Sequence, residues 1–198
     1  MYGRSALMSG IIKTIQPMKP RKGKPMNISG YSLFELIATL CVTTITLAIG
    51  IPSFLDLKQK SQLENTYKLL LDSIQLARTQ AVIQNQRTIL IANENWSQGW
   101  QLFVDSNKNG TLDPNEQILL KQPDQPHARI ISSNPVSSHI AFIGTGEGVQ
   151  LNSGGFLAGN IKVCPRLNGE GYKLVLSRGG RVRMERLSSA ACKATLDT

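Results

Sequence analysis

Residues 30–57 read GYSLFELIATLCVTTITLAIGIPSFLDL, and this stretch decides the fold. From Leu36 to Leu57 the only charged residue is Asp56. As a helix this run would be roughly 33 Å long, against a bilayer hydrocarbon core of about 30 Å. It therefore predicts a membrane-spanning helix. Glu35 stands at the start of the span, where a carboxylate is costly unless a positive group pairs with it.

A basic leader precedes the span. It contains six basic residues and no acidic residue: Arg4, Lys13, Lys19, Arg21, Lys22 and Lys24. Because positive charge is retained on the cytoplasmic side, this asymmetry predicts a single pass through a membrane, with the N-terminus in the cytoplasm and the rest of the chain exported. An ordinary signal anchor or a cleaved secretory peptide is the alternative, but a secretory signal has a shorter apolar core and a cleavage site after it.

The exported part is less basic than the whole chain. The sequence has 22 Lys and Arg against 13 Asp and Glu, but six of the basic residues lie in the leader, which leaves 16 − 13 = +3. Eight Lys and Arg against three acidic residues follow Asn160, so the C-terminal part carries the positive charge. Cys164 and Cys192 both fall in the exported part, where disulfides persist, and we expect them to pair; two free buried thiols are the alternative.

Hydrophobic periodicity predicts an α+β domain. Six apolar residues recur at steps of three and four and form one helical stripe: Leu63, Tyr67, Leu70, Ile74, Ala77 and Ala81. After Arg87 the period approaches two, and nine short strands are predicted, the first at Thr88–Ala92 and the last at Arg181–Met184. Trp96 and Trp100 are expected to pack the interior. The expected arrangement is a long N-terminal helix packed on antiparallel sheet.

Four further motifs accompany the leader and Glu35: Leu76–Ala81, Gly99–Asp105, Asn107–Gly110 and Ser177–Arg183. With them the sequence resembles the GspH/FimT family of type IV minor pilins and pseudopilins. The resemblance implies a type IV pilin-like fold with a leader (1–30), a transmembrane helix half (31–57) and a globular domain (58–198). That domain would comprise an amphipathic helix (58–86), a β-sheet region (87–187) and a basic tail (178–198).

The same resemblance implies how the protein matures and assembles. A prepilin peptidase would cut between Gly30 and Tyr31, and the new amino terminus would be methylated. Glu35 would then neutralise the terminal amine of a neighbouring pilin or pseudopilin in the filament.

An arginine-rich segment near the C-terminus is the strongest binding candidate. It comprises Arg178, Arg181, Arg183 and Arg186. On a strand, Arg181 and Arg183 would lie about 6.6 Å apart on one face and could contact successive phosphates, with Gly179 and Gly180 letting the backbone approach. Lys193, held near by the expected disulfide, would add to this patch.

The run from Gly180 to Arg183 matches the Gly-Arg-x-Arg motif that, by the same resemblance, implies DNA binding during natural transformation. No recognition helix is evident, so binding without sequence preference is expected. A solvated strand whose arginines pair with Glu185 or Glu170 is the alternative.

A second motif satisfies the calcium-loop pattern D-x-[DN]-x-[DN]-G-x5-E. Its residues are Asp105, Asn107, Asn109, Gly110, Asp113 and Glu116. Strands flank the loop where an EF-hand has helices, and turn-forming Asx side chains explain the same residues, so no cofactor is expected unless calcium binds here.

Three functional hypotheses follow: a DNA-binding minor pilin, a type II secretion pseudopilin, and a calcium-stabilised structural pilin. Enzymatic activity is not expected, because His127 and His139 are the only histidines and lie far apart in the sequence.

Overall fold

The computed structural model describes Gly30 and residues 32–194. Three parts of the chain lie outside the described residues: the leader up to residue 29, residue Tyr31, which is expected to be methylated, and residues 195–198. Helix α1 runs from Leu33 to Gln84 and continues through Pro52. The chain divides into two units, and the boundary between Ile45 and Thr46 falls inside this helix.

Helix α1 is the one helix of the described residues that is long and apolar enough to cross a membrane. Its residues 33–60 are exposed, including Leu33, Phe34 and Phe54 at more than 60% of their surface. Such apolar exposure suits a lipid environment rather than water.

Within the described residues nine strands follow α1, one for each strand predicted from the sequence. They are β1 (Arg87–Ala92), β2 (Trp100–Asp105), β3 (Ile118–Gln122), β4 (Ala128–Ser132), β5 (His139–Phe142), β6 (Gly148–Val149), β7 (Gly159–Pro165), β8 (Gly171–Leu176) and β9 (Val182–Leu187). Two short 3₁₀ helices (Trp96–Gln98 and Asn134–Val136) and a final helix α2 (Ser189–Lys193) were not predicted.

The strands form two antiparallel sheets. The first sheet has the order β3-β2-β1-β5-β6 and the second has the order β4-β7-β8-β9. The sequence predicted antiparallel sheet but not this division. Pairings such as β1 with β5 and β4 with β7 join strands that are far apart in the sequence, and local patterns carry no information about them.

The predicted stripe of α1 forms the centre of the core. All six of its residues are buried, and they pack with residues from both sheets, among them Leu90, Leu102, Val163 and Leu174. Two buried polar side chains of α1 lie beside the stripe, and the sequence did not predict their burial. Ser73 accepts a 2.8 Å hydrogen bond from the buried Trp100 Nε1, and Thr66 bonds Gln125. Satisfying the indole N–H in this way removes the cost of burying it.

The C-terminal end of the described chain is fixed covalently. Cys164 of β7 and Cys192 of α2 form the expected disulfide, which closes a separation of 28 residues. Gly171 lies directly against this bond, because a Cβ there would come within 2.5 Å of the Cys192 Sγ. The bridge and this glycine together hold α2 beside β7.

Candidate nucleic-acid interface

The predicted arginine segment forms the β8–β9 hairpin. Its turn is closed by hydrogen bonds from Gly180 N to Ser177 O (3.0 Å) and from Ser177 N to Arg181 O (2.9 Å). Gly180 has a φ of +72°, a left-handed conformation in which glycine has no steric cost. A Cβ at Gly180 would also meet the Gly146 carbonyl oxygen. Glycine is therefore required here by both backbone geometry and close packing.

Arg78 of α1 anchors this hairpin, a role that the sequence did not indicate. Its Nε donates to Gly146 O (2.9 Å) and its Nη2 donates to Gly179 O (3.3 Å). One guanidinium thus connects the helix, the β5–β6 loop and the hairpin turn. Because these loops become neighbours only in the folded chain, spacing along the sequence could not have identified Arg78.

The hairpin arginines differ in their pairing. Arg178 and Arg181 are exposed, and neither forms an ion pair with a carboxylate within residues 32–194. Arg183 has 74% of its side chain exposed but lies 3.0 Å from Glu185 Oε1. The alternative weighed from the sequence, an arginine paired with Glu185, therefore holds for Arg183 in this structure.

Glu185 is shared between two basic residues. Lys173 Nζ lies 3.3 Å from Glu185 Oε2, on the neighbouring strand. Its hydrogen bond and charge, together with Arg183, lower the pKa of Glu185, so this carboxylate is ionised at neutral pH. Glu185 thus competes with any anionic ligand for both cations.

Arg186 lies on the opposite face of β9 from Arg183. It shares the face of Val182, which packs on the core, and it lines a groove with Glu64 of α1 and Tyr172. Glu64 is bound to Lys68 at 2.7 Å, and this hydrogen bond and, to a lesser extent, Arg186 lower the pKa of Glu64. Arg186 therefore points towards α1 and does not lie beside Arg183.

Lys193, which was expected to add to the arginine patch, lies away from the hairpin turn. The turn joins the strands at the Leu176–Val182 pair, whereas α2 follows the other end of β9, at the Gly171–Leu187 pair. The expected disulfide holds Lys193 near β7, and six strand residues separate it from the turn.

The loop between β2 and β3 brings together all of the predicted calcium residues. Asp105 is buried and binds Arg87 Nε at 2.6 Å, and its carboxylate also accepts from the backbone of Asn109 and Gly110. Asp113 Oδ2 accepts from both asparagine amides. Glu116 accepts from the backbone N–H groups of Ser106 and Asp113.

These contacts use the side-chain oxygens that calcium would need. Arg87 supplies the positive charge beside Asp105, and within the described residues no group of three or more His, Cys, Asp or Glu side chains could hold a metal ion. Turn formation accounts for the motif. Calcium binding at this loop stays a prediction.

Comparison with known proteins identifies related chains. The model of the family described as type II transport protein GspH matches residues 68–180, which is 113 of the 198 residues. None of the curated proteins matches.

The solved structures that are similar to this chain include a type IV minor pilin and a minor pseudopilin. The type IV minor pilin FimU of Pseudomonas aeruginosa strain PAO1 has a TM-score of 0.50 at 20% identity, covering 68% of this chain and 94% of that chain. The minor pseudopilin EpsH from the type 2 secretion system of Vibrio cholerae has a TM-score of 0.47 at 9% identity, covering 63% and 96%. The FimU likeness confirms the predicted pilin-like α+β fold.

We predict that Asp105→Asn lowers the free energy of unfolding by about 3 kcal/mol, because it leaves the Arg87 guanidinium without its carboxylate. Urea unfolding measures the change, and Asp124→Asn at an exposed site is the matched control, expected within about 0.5 kcal/mol of the unaltered chain. If millimolar calcium stabilised the unaltered chain but not Asp105→Asn, the loop would be a metal site and our account of it would be wrong.

Proposed function

This chain belongs to the GspH family, and we propose that it is a minor pilin of a type IV pilus system that binds DNA through its β8–β9 hairpin. The proposed partner is the phosphate backbone of DNA taken up in natural transformation. Arg178, Arg181 and Arg183 would make the contacts at the hairpin. Arg186 and Lys193 lie away from the hairpin turn and would not contact DNA there.

The observation that carries this proposal is the unpaired positive charge at the hairpin turn. Arg178 and Arg181 extend from a turn fixed by its own hydrogen bonds and by Arg78, and no carboxylate of the described residues neutralises them. Arginine forms forked hydrogen bonds with phosphate, so two unpaired guanidiniums carried by a fixed turn suit a polyanion. A short hairpin turn reads no base edges, which supports binding without sequence preference.

We also propose the maturation steps that the sequence indicates. Gly30 would be the cleavage site of a prepilin peptidase, Tyr31 would be methylated, and Glu35, in the first turn of α1, would pair with the amine of a neighbouring subunit. The exposed apolar part of α1 would anchor the subunit in the inner membrane, with the globular domain (58–198) in the periplasm. After assembly the same surface would pack inside the filament.

A type II secretion pseudopilin is the second candidate, and the description of the matching family favours it. In that role the domain would contact other pseudopilins and support protein secretion, and the hairpin arginines would have no polyanion to bind. DNA binding by the purified protein separates the two functions.

We predict that Arg181→Gln with Arg183→Gln weakens binding to a labelled duplex of arbitrary sequence by at least tenfold. The dependence of log affinity on log salt should also become shallower by about 2, as expected for two lost phosphate contacts. Fluorescence anisotropy on the full-length chain in non-ionic detergent measures both. The six leader cations are identical in all variants and cancel in the comparison.

The control for this experiment is Lys108→Gln with Lys121→Gln, which removes the same charge from the β2–β3 loop and from β3. It should change affinity less than twofold. Equal losses in the two double variants would mean that net charge, and not the hairpin, binds DNA.

We predict that Glu185→Gln strengthens DNA binding about threefold or more. The substitution removes the carboxylate that now holds Arg183, so this guanidinium becomes available to phosphate, and it also removes a negative charge beside the hairpin. The same anisotropy titration measures the gain. Unchanged or weaker binding would show that Arg183 does not contact DNA.

We predict that Gly30→Ala blocks removal of the leader, so that an immunoblot of the host membrane fraction shows the full-length chain. Normal maturation of this variant would refute the cleavage site. Asn27→Ala, slightly earlier in the leader, is the control and should mature normally.

A further inference from the structure

The outward face of the second sheet carries a row of cations that begins in the hairpin and extends beyond it to β7. In the strand register, Lys162 of β7 lies directly opposite Lys173 of β8, and Lys173 lies opposite Glu185 of β9. Arg183 is two residues from Glu185 and has the same orientation. We call Lys162, Lys173 and Arg183 the outer cation row.

The orientation of this row follows from the residues beside it. Ile161 and Val163 flank Lys162 and are buried in the core, and Leu174, which follows Lys173, is buried there too. Because successive side chains of a strand point to opposite faces, the lysines must point away from α1. All three members of the row are at least partly exposed to solvent.

This arrangement has an energetic cost for the folded chain. Like charges directly opposite each other on neighbouring strands repel, and the sheet places Lys162 against Lys173. Glu185 is the one carboxylate that the described residues provide for the row, and it is occupied by Lys173 and Arg183. Lys162 forms no ion pair with any carboxylate within residues 32–194. A local conflict of this kind points to a function rather than to stability.

We propose that the outer cation row continues the DNA path from the hairpin across the sheet, so that the phosphate backbone passes over β9, β8 and β7. This rests on the proposed function and extends the binding site to Lys162 and Lys173. Neighbouring strands are about 4.8 Å apart, so the row reaches about 10 Å from β9 to β7. A single small anion cannot cover that distance, whereas a backbone with regularly spaced phosphates can.

The disulfide lies on the same outward face of the second sheet. Cys164 follows the inward-facing Val163 in β7 and therefore has the orientation of Lys162, and its bond to Cys192 holds α2 at this side of the strand. Lys193, the last residue of α2, thus lies towards the far end of the outer face. Its position fits a path across the sheet, although it did not fit a patch confined to the hairpin turn.

Lys162→Glu tests the proposal, because it should raise the thermal stability of the domain and weaken its binding to DNA. It replaces a repulsive cross-strand pair by an attractive one, so the midpoint of thermal unfolding should rise by a few degrees. It also places a negative charge in the phosphate path, so the affinity for a labelled 25-base-pair duplex should fall at least tenfold. A side chain with a purely structural role would not produce this combination.

The matched control is Lys121→Glu, the same charge change in β3 of the other sheet, where the opposite residue is the neutral Gln101. Its affinity should stay within twofold of the unaltered chain. Lys162→Gln is the milder variant and should reduce the salt slope by about 1. Both are measured on the full-length chain in non-ionic detergent.

The outcomes separate this inference from the proposed function. If the hairpin double variant loses DNA binding while Lys162→Glu and Lys162→Gln bind like Lys121→Glu, the path across the sheet is wrong and the hairpin site stands. If the unaltered chain does not bind duplex DNA, both the proposed function and this inference are wrong. If Lys162→Glu unfolds at a lower temperature, the repulsion on which the argument depends is absent and the inference is overturned.

Discussion

The packing of one helical stripe against two sheets is the constraint on which the rest of the structure depends. The six stripe residues between Leu63 and Ala81 are buried, and they join core residues of both sheets in one cluster. The helix supplies the apolar surface against which both sheets pack, because antiparallel sheets need one face packed to be stable. The strand residues of that cluster therefore face α1, whereas Ile89, Phe103 and Ala141 form a second buried cluster on the other face of the first sheet.

The position of the candidate phosphate-binding side chains follows from that constraint. Once Ile161, Val163 and Leu174 face α1, the alternation of the strands forces Lys162 and Lys173 to the outside. The same alternation separates Arg183 from Arg186 and directs Arg186 towards Glu64. A single arginine patch on one side of β9 is thus incompatible with the core. The cations that share a face are those at alternate positions on β9 and their neighbours on β8 and β7.

The sequence predicted the local features of this fold well. The stripe, the nine strands and the disulfide all depend on periodicity or on the compartment in which the cysteines reside, and each of these is a property of a short segment. The sequence could not predict that β1 pairs with β5, that Arg78 reaches Gly146 and Gly179, or that Lys162 faces Lys173. These contacts depend on sheet order and register, which are set by the whole core rather than by any motif. The calcium-loop motif could not predict its own contacts either, because the partner of Asp105 is Arg87, which lies outside the motif.

Stability and the proposed DNA binding would make opposite demands on the second sheet. A sheet selected for stability alone would place carboxylates opposite its lysines, as Glu185 is placed opposite Lys173. Each such carboxylate would also occupy a cation that a phosphate could otherwise contact, so a surface for polyanions must leave some positive charge without a partner. The interior of the domain, by contrast, has every polar side-chain atom satisfied within the described residues. The unbalanced charge is confined to the solvent-facing side, where water and salt reduce its cost until a polyanion displaces them.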